Sequence, residues 1–385
     1  MSTFTVTVKR ILAIELHPNA DALDVVAIDG YRSVVRSGQF ETGDLVAYIP
    51  EDSVLPEWLL KRLGFWDRKK NRGTLHGKEG NRVKAIRLRG ELSQGICYPI
   101  HEDGDEHGLL FTEAGISYSA PRAREGDDVA ERLGITKYEP PIPVAMAGEV
   151  LNAGRHLTLD FDVENWKAHP DILQEGEEVI FTEKLHGTCT IVAILPYRDA
   201  HPEAFGEHHN ILVCSKDLGA KGLAFKNNER NANNLYVRAT RALVARIDKE
   251  LHDNPDGPVV PFFILGETIG RGVQDLDYGL ALDFRIFAMA DGYRGHQTFM
   301  NWSSVTGSFK AIWDIETVPV LYRGPFSETV MREYTDGLTT LGADHIREGI
   351  VMVPTQERTH PAIGRVCLKS VSGDYLTRKG GTEYN

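Results

Sequence analysis

The sequence contains little cysteine and has no apolar run long enough to cross a membrane. Its four cysteines lie far apart among 385 residues and form no CxxC pair, so the sequence indicates neither a disulfide framework nor a zinc knuckle. The apolar run PVVPFFILG is too short to span a bilayer. The N-terminus alternates threonine with apolar residues, which is typical of a strand and not of a signal peptide. We therefore expect a soluble cytoplasmic protein without a membrane partner.

The sequence also lacks an overall excess of basic residues. It has 43 Lys and Arg against 55 Asp and Glu, a formal net charge of −12, which argues against a protein that coats itself on nucleic acid. The segment from Lys61 to Arg89 departs from this average, with eleven basic residues, two acidic residues and a local charge of +9. This segment is either a solvated loop surface or a contact for a polyanion.

The length predicts two domains, and 42% hydrophobic residues are enough for a core in each. Residues 1–100 contain several short β patterns broken by turn residues, which favours a small barrel or sandwich. Within that region EWLLKRLGFW predicts a short helix, and the polar residues 101–130 predict a loop or insertion. VAERLGI predicts a helical turn, and KYEPPIP predicts a stiff connector because proline fixes φ. We place the domains at 1–138 and 139–385.

The second region mixes strands and helices. EEVIFTEKLHGTCTIVAIL predicts two strands around a turn, and PVVPFFILGE, LDFRIFAMAD and EGIVMVP predict buried strands. The segment NNERNANNLYVRATRALVARIDKEL has apolar residues near helical spacing and predicts a surface helix. Because strands and helices do not alternate strictly, an α+β fold is favoured over a doubly wound sheet.

The first candidate for chemistry is Lys184, in TEKLHGTCT between two predicted strands. Taken alone it suits an ordinary surface turn. As a nucleophile it would need a lowered pKa, from desolvation or from nearby cations. Gly187 and the backbone N–H groups of the turn would let a phosphate come close.

Three further residues follow in order along the chain. Glu267 ends an apolar strand in LGETIGRGVQDLDYG and is placed to bind ribose hydroxyls, although a glycine-rich hairpin explains the same pattern. The glycine spacing matches neither a Walker loop nor a dinucleotide fingerprint. Glu348, before the strand GIVMVP, would offer hard oxygen to Mg²⁺ or Mn²⁺. Lys369, in GRVCLKSVSGDYL, would offset phosphate charge in the transition state. Taken alone, Glu348 and Lys369 are each explained equally well as a solvated charged residue at the end of a strand.

Together, KLHG, GExxGxGVQ, EGIV and LKS resemble in this order the motifs of the covalent nucleotidyltransferases, and among these the RNA ligases. DNA ligases usually show KxDG, and they and capping enzymes carry a further barrel after the last motif. Only sixteen residues follow Lys369 here, so we expect no such barrel. HPNADALDVVAIDG and GDLVAYIPEDSVLP resemble the OB module of the Deinococcus-type ATP-dependent RNA ligases. The resemblance implies an N-terminal OB-like β-barrel followed by an α+β nucleotidyltransferase (adenylation) domain of mixed antiparallel sheets and helices.

The resemblance also implies ATP and Mg²⁺ or Mn²⁺ as cofactors, RNA as partner, and end joining through lysyl-AMP on Lys184. By resemblance Lys369 contacts the α-phosphate, Glu348 helps to hold the metal, and Phe287 stacks on adenine, with Phe284 as the fallback. The residues assigned to nucleotide binding are Glu183, His186, Gly187, Ser215, Lys216, Glu267, Phe287 and Lys369. The residues assigned to the RNA backbone are Arg68, Lys69, Lys70, Arg72, Lys84 and Arg87, with Trp66 as an aromatic neighbour.

Two departures from the family pattern stand out. Many relatives have a KxK pair at the last motif, but Cys367 occupies the position two before Lys369. Either Arg365 or Lys379 supplies the missing charge, or one lysine is sufficient in this branch. Cys189 stands where some phage RNA ligases have Asn. Two other hypotheses stay open: an RNA- or tRNA-binding protein with an inactive nucleotidyltransferase domain, and a capping guanylyltransferase or DNA ligase.

Overall fold

The computed structural model describes residues 4–102, 108–109, 111–112, 115–116, 123–253, 256–309 and 313–381. These residues form two compact units. One contains residues 4–139 together with Trp166–Pro170, and the other contains residues 140–165 and 171–381. Each unit buries hydrophobic clusters of its own. No helix in these ranges is long and apolar enough to cross a membrane.

The N-terminal unit is built from short strands. They are β1 (Thr7–Arg10), β2 (Ala13–Leu16), β3 (Leu23–Ile28), β4 (Tyr31–Arg36), β5 (Leu45–Ile49), β6 (Ser53–Val54), β7 (Trp66–Asp67), β8 (Arg72–Gly73), β9 (Ile86–Leu88), β10 (Glu91–Ser93), β11 (Ile96–Pro99), β12 (His101–Glu102), β13 (Gly108–Leu109), β14 (Phe111–Thr112), β15 (Gly115–Ile116) and β16 (Thr136–Lys137).

Strand β5 organises this unit because both of its faces are buried. It pairs in antiparallel fashion with β1 and β11, and a separate antiparallel sheet has the order β2-β3-β4. Leu45, Ala47 and Ile49 enter one hydrophobic cluster, while Val46 and Tyr48 enter another. Because successive side chains of a strand point to opposite faces, β5 contributes side chains to two hydrophobic clusters.

Two short helices of this unit lie where the sequence predicts them. Helix α1 (Glu57–Leu63) ends at Gly64 and helix α2 (Ala130–Leu133) ends at Gly134, and both glycines adopt the left-handed conformation. The prediction of a loop over 101–130 is wrong in part, because β12 pairs with β13 and β14 with β15. Residues 103–107, 110, 113–114 and 117–122 of that segment lie outside the described residues.

The C-terminal unit has longer strands. They are β17 (Val150–Asn152), β18 (Glu164–Asn165), β19 (Glu178–Lys184), β20 (Thr188–Ile194), β21 (Ile211–Ser215), β22 (Leu223–Phe225), β23 (Phe262–Ile269), β24 (Asp283–Asp291), β25 (Thr298–Phe299), β26 (Val320–Pro325), β27 (Gly349–Pro354), β28 (Thr359–His360), β29 (Gly364–Arg365) and β30 (Leu368–Val371). The α-helices are α3 (Lys216–Lys221), α4 (Leu235–Asp253), α5 (Trp302–Ser304), α6 (Glu328–Thr335) and α7 (Gly373–Leu376).

Two five-stranded sheets share the main core of this unit. Their strand orders are β18-β30-β27-β19-β26 and β21-β20-β23-β24-β25. The chain leaves the first sheet at the end of β19 and enters the second at the start of β20. Ile180 from the first sheet packs in the same cluster as Ile264 and Ile286 from the second. The short turn 185–187 therefore links an interior strand of one sheet to an interior strand of the other, and this turn follows Lys184.

The predicted surface helix begins later than its sequence pattern suggests. Residues Glu229–Asn231 form a separate 3₁₀ turn, and α4 starts at Leu235. The side chain of Asn234 accepts hydrogen bonds from the backbone N–H groups of Tyr236 and Val237, which caps the helix. The predicted strands EEVIFTEK, PFFILGE, LDFRIFAMAD and EGIVMVP are confirmed as β19, β23, β24 and β27.

Candidate active site

Lys184 is the last residue of β19, and its side chain lies on the same face of the sheet as that of Lys369. Thr182 pairs with Val351, and Val351 pairs with Lys369 in the neighbouring strand. Paired residues of adjacent strands share a face, and residues two apart on one strand also share it. The register therefore brings together two lysines that are far apart in sequence.

Glu348 makes an ion pair with Lys184, with 2.7 Å between Nζ and Oε1. The carboxylate is only 12% exposed. Burial acts to lower the pKa of Lys184, but the negative charge of Glu348 and its hydrogen bond to the amine oppose this effect, and the pKa is raised above its ordinary value. This direction is opposite to the lowered pKa that attack at neutral pH needs, because an acidic partner faces the amine directly.

Glu267 lies in β23 opposite Cys189 of β20. Burial raises the pKa of Glu267 to about 8, and the nearby charge of Glu348 acts in the same direction, while Lys184 opposes both. At neutral pH this carboxyl group is therefore largely protonated. A protonated carboxyl both donates and accepts hydrogen bonds, which suits contact with hydroxyl groups.

Lys369 is the second half-buried lysine of the cluster. Burial lowers its pKa to about 8, and the positive charges of Lys184 and Lys216 add to this effect. Lys216 itself makes an ion pair with Asp162, with 3.0 Å between Nζ and Oδ1, and its ammonium group lies 4.9 Å from the ring centre of Phe161. The second cation near Lys369 thus comes from the start of α3.

Neither candidate for the missing second lysine joins this cluster. Arg365 Nε donates to Glu357 Oε2 at 3.0 Å, and the guanidinium group stacks 3.9 Å from the ring centre of Phe299. Lys379 is exposed. Cys367 is buried in the hydrophobic core, where burial raises the pKa of its thiol.

The turn after Lys184 is tightly packed. A Cβ added at Gly187 would lie 2.2 Å from the backbone oxygen of Thr268, so no larger residue fits without a shift. His186 is 5% exposed, and its Nδ1 and Nε2 lie 2.8 Å from Tyr375 Oη and 2.7 Å from Asp275 Oδ1. Its ring nitrogens face protein groups, in contrast to the expectation that His186 contacts the nucleotide.

The two aromatic candidates for adenine stacking differ in burial. Phe287 is half-buried at a β-bulge of β24, with its ring centre 6.2 Å from that of Phe161, whereas Phe284 is buried in the core. Phe287 is therefore the more accessible of the two aromatic candidates. Ser215 caps α3, with its Oγ accepting a hydrogen bond from the backbone N–H of Leu218.

Glu183 does not lie with Lys184, Glu348 and Lys369. It is 1% exposed, and its carboxylate accepts hydrogen bonds from both the backbone and the hydroxyl of Thr340 and from the hydroxyl of Thr339. Successive side chains of a strand point to opposite faces, so Glu183 lies on the face opposite Lys184.

The basic segment lies in the N-terminal unit and is mostly exposed. Asp67 accepts hydrogen bonds from the backbone N–H groups of Lys69 and Lys70, which holds a turn between β7 and β8. Lys61 lies over the ring of Trp66 at 5.1 Å. Lys84 is half-buried, and Arg68, Arg72 and Arg87 are exposed. Arg82 differs from these residues because it is buried, pairs with Asp52 and stacks on Tyr138.

Sequence reasoning missed four residues around the motif turn: Asp275, Tyr278, Tyr375 and Arg378. Asp275 and Tyr278 stand within the quoted segment GVQDLDYG, and their polar character was the available signal. No motif assigns a role to Tyr375 or Arg378, and their contacts with His186 are seen only in the folded chain.

The donor set fits a hard divalent cation held through one carboxylate. Within the described ranges, no three His, Cys, Asp or Glu side chains converge on one point. Glu348 offers oxygen ligands beside a half-buried lysine, and phosphate oxygens and water are the usual further ligands of Mg²⁺ in such sites.

Two family models match the chain. Residues 5–100 match an OB-fold domain, and residues 177–371 match the RNA ligase family. The second match covers just over half of the chain, and the chain belongs to the RNA ligase family. The enzyme thus has an N-terminal OB fold followed by an α+β ligase domain, as expected from its motifs. A comparison with curated proteins finds no match.

The fold is also similar to solved structures of the RNA ligase of Naegleria gruberi. One, a mutant with ATP and Mn, gives a TM-score of 0.68 at 23% identity, covering 96% of this chain and 97% of that chain. A second mutant, with AMP and Mn, gives 0.70 at 22% identity with the same coverage. A structure with PPi gives 0.69 at 24% identity, covering 97% and 98%. The likeness concerns the fold, and it extends over both units.

Proposed function

We propose that this RNA ligase is ATP-dependent and of the Deinococcus type, and that it joins RNA 3′-hydroxyl and 5′-phosphate ends in three steps. The Nζ of Lys184 attacks the α-phosphorus of ATP, an N–P bond forms, and pyrophosphate leaves. A 5′-phosphate oxygen of RNA then attacks the AMP phosphorus and frees the lysine. Finally a 3′-hydroxyl attacks the activated 5′-phosphate, and AMP leaves.

The observation that carries this proposal is the half-buried cluster of Lys184, Glu348 and Lys369 beside Glu267. Lys184 is the nucleophile, and Lys369, which shares its face of the sheet, offsets charge on the α-phosphate. Glu267 binds the ribose hydroxyls. Phe287 stacks on adenine, with Lys216 and Ser215 at the same edge of the site.

Glu348 has two functions in this proposal. Its charge favours the protonated form of Lys184. Its oxygens would also hold Mg²⁺ or Mn²⁺, and the metal would neutralise phosphate charge. Loss of the charge of Glu348 would lower the pKa of the nucleophile.

We further propose that residues 1–138 form the RNA-binding domain and 139–385 the adenylation domain. The exposed residues Arg68, Lys69, Lys70, Arg72 and Arg87, with Lys84, bind the RNA backbone at a nick or break. The Asp67 turn supports this assignment, because it fixes the backbone beneath three consecutive basic side chains. A cytoplasmic location stays a prediction.

The test is covalent labelling. The purified chain is incubated with ATP or GTP labelled at the α-phosphate and with Mg²⁺ or Mn²⁺, denatured, and separated on a gel. We expect label from ATP that is lost in Lys184→Ala and kept in Lys221→Ala, which changes an exposed lysine in the last turn of α3. No label with either nucleotide would contradict catalysis and favour a binding protein. Label from GTP alone would favour capping.

A further inference from the structure

His186 is held by two side chains to which the motifs assign no role. Asp275 Oδ1 lies 2.7 Å from His186 Nε2, and Tyr375 Oη lies 2.8 Å from His186 Nδ1. Asp275 comes from the loop after β23, and Tyr375 comes from α7, which follows β30. Each of the two ring nitrogens therefore contacts a side chain from a different segment of the C-terminal unit.

Arg378 joins these two contacts. Its Nε and Nη2 donate to the two carboxylate oxygens of Asp275 at 2.9 and 3.0 Å, and its Nη1 donates to the backbone oxygen of Tyr375 at 2.9 Å. The guanidinium carbon also lies 3.7 Å from the ring centre of Tyr375. A planar guanidinium fits a carboxylate in this two-point manner, so Arg378 fixes the orientation of Asp275.

Both ring nitrogens of His186 have further polar neighbours. A carboxylate only accepts hydrogen bonds, so a proton on Nε2 is donated to Asp275. Arg378 Nη2 lies 3.3 Å from the same nitrogen, and Glu348 Oε2 lies 3.9 Å from Nδ1. Polar groups on both sides of the ring therefore hold it in one orientation.

The backbone of the same turn is held from the loop that carries Asp275. His186 N–H donates to Tyr278 Oη at 2.7 Å, and Gln274 Nε2 donates to the backbone oxygen of Gly187 at 3.1 Å. Lys184 precedes His186 by two residues, with the buried Leu185 between them. Any rotation of His186 is therefore transmitted to the backbone that carries the lysine.

We infer that Asp275, Tyr375 and Arg378, here named the His186 clamp, are positioning residues for nucleotide transfer to Lys184. They fix the side chain of His186 and, through it, the turn that aims Lys184. The segment after β30 thereby completes a site whose nucleophile lies almost two hundred residues earlier in the chain. The inference rests on the proposed function, since it assumes transfer to Lys184.

The experiment measures lysyl-AMP formation in a single turnover, at increasing ATP and at a temperature where circular dichroism shows each variant folded. Asp275→Asn and Tyr375→Phe are expected to lower the rate at saturating ATP by about ten- to a hundred-fold, because small misplacements of a reacting group have effects of this size. The ATP concentration that gives half of the maximal rate stays within about twofold, since the clamp does not touch the nucleotide. The double variant is no slower than about the slower single variant, because both changes act through one ring.

The matched control is Arg358→Leu, which breaks another two-point pair between arginine and a carboxylate. Arg358 Nε and Nη2 donate to the two oxygens of Glu177 at 2.7 and 2.8 Å. Glu177 precedes the first residue of β19, whereas His186 follows its last residue. This variant is expected to keep the wild-type rate once folded. A conservative Asp275→Glu change is expected to restore part of the rate lost in Asp275→Asn.

Three outcomes would overturn the inference. In the first, the clamp variants form lysyl-AMP as fast as wild type at saturating ATP, while Lys184→Ala forms none. In that case the positioning role of the clamp is wrong and the ligase proposal stands. If Arg358→Leu slows transfer as much as Asp275→Asn, the effect is general loss of structure. If wild type forms no lysyl-AMP, the proposed function is wrong, and the clamp is wrong with it.

Discussion

Lys184 and Glu348 form a half-buried ion pair, with 2.7 Å between Nζ and Oε1, although 163 residues separate them in the chain. The register of β19 with β27 creates this contact, because Lys184 pairs with Gly349, the residue after Glu348. The pair determines the protonation state of the proposed nucleophile.

Replacing Glu348 by Gln is expected to lower the pKa of Lys184. Burial alone lowers that pKa, and the charge of Glu348 is the main opposing effect. The amine of the variant should therefore react with an amine-directed reagent at lower pH than in wild type, as followed by peptide mass spectrometry, even though lysyl-AMP formation falls. Glu357→Gln, which removes the partner of Arg365, is the control. An unchanged pH profile of labelling would show that Glu348 does not govern the lysine.

A change of Gly187 to Ala is expected to destabilise the turn after Lys184. The new Cβ would lie 2.2 Å from the backbone oxygen of Thr268, and relief of such overpacking costs about 1–3 kcal/mol. Thermal unfolding should show the loss, together with slower lysyl-AMP formation. Gly307→Ala is the matched control, because a Cβ there meets nothing within 4 Å. Equal melting temperatures for the two variants would contradict the close approach.

Glu267 is expected to make the protein less stable as pH rises. Its pKa is about 8 in the folded protein and about 4.5 when exposed. Between these values the folded state binds more protons than the unfolded state, so the free energy of unfolding falls as pH rises through this window. Glu267→Gln should remove this fall, as measured by denaturant unfolding from pH 5 to 8.5. Glu175→Gln, at an exposed position, should leave the slope unchanged. The prediction fails if the Glu267→Gln variant loses stability with pH as steeply as wild type.

Neutralising Lys69, Lys70 and Arg72 is expected to weaken RNA binding and sealing while lysyl-AMP formation stays intact. Each lost phosphate contact should reduce the slope of log affinity against log salt by about 1. Changing Lys221, Arg238 and Lys249, exposed basic residues of α3 and α4, provides a control of equal charge. If both triple variants lose affinity equally, the basic segment is not a specific contact. Equal loss of lysyl-AMP formation would assign it to the nucleotide site or to folding.

The strands around the site could be predicted because their patterns are strong and local. The runs that became β19, β23, β24 and β27 are apolar and bounded by turn residues. Boundaries were harder, as at α4, where Asn234 caps the helix and excludes the preceding residues. The role of Glu183 could not be read from the motif, because its partners Thr339 and Thr340 lie about 155 residues away.

The sequence by itself determined the order of the motif residues, their chemical types and, through them, the family. It also showed that the net charge of −12 hides one basic segment. Only the tertiary structure decided the protonation states of Lys184, Glu267 and Lys369, because each depends on burial and on charges brought from other strands. It also decided that Lys216, and not Arg365 or Lys379, is the second cation near Lys369, and that His186 is held by Asp275, Tyr375 and Arg378. The physical reason is that electrostatic and hydrogen-bond effects act through space, whereas the sequence records only neighbours along the chain.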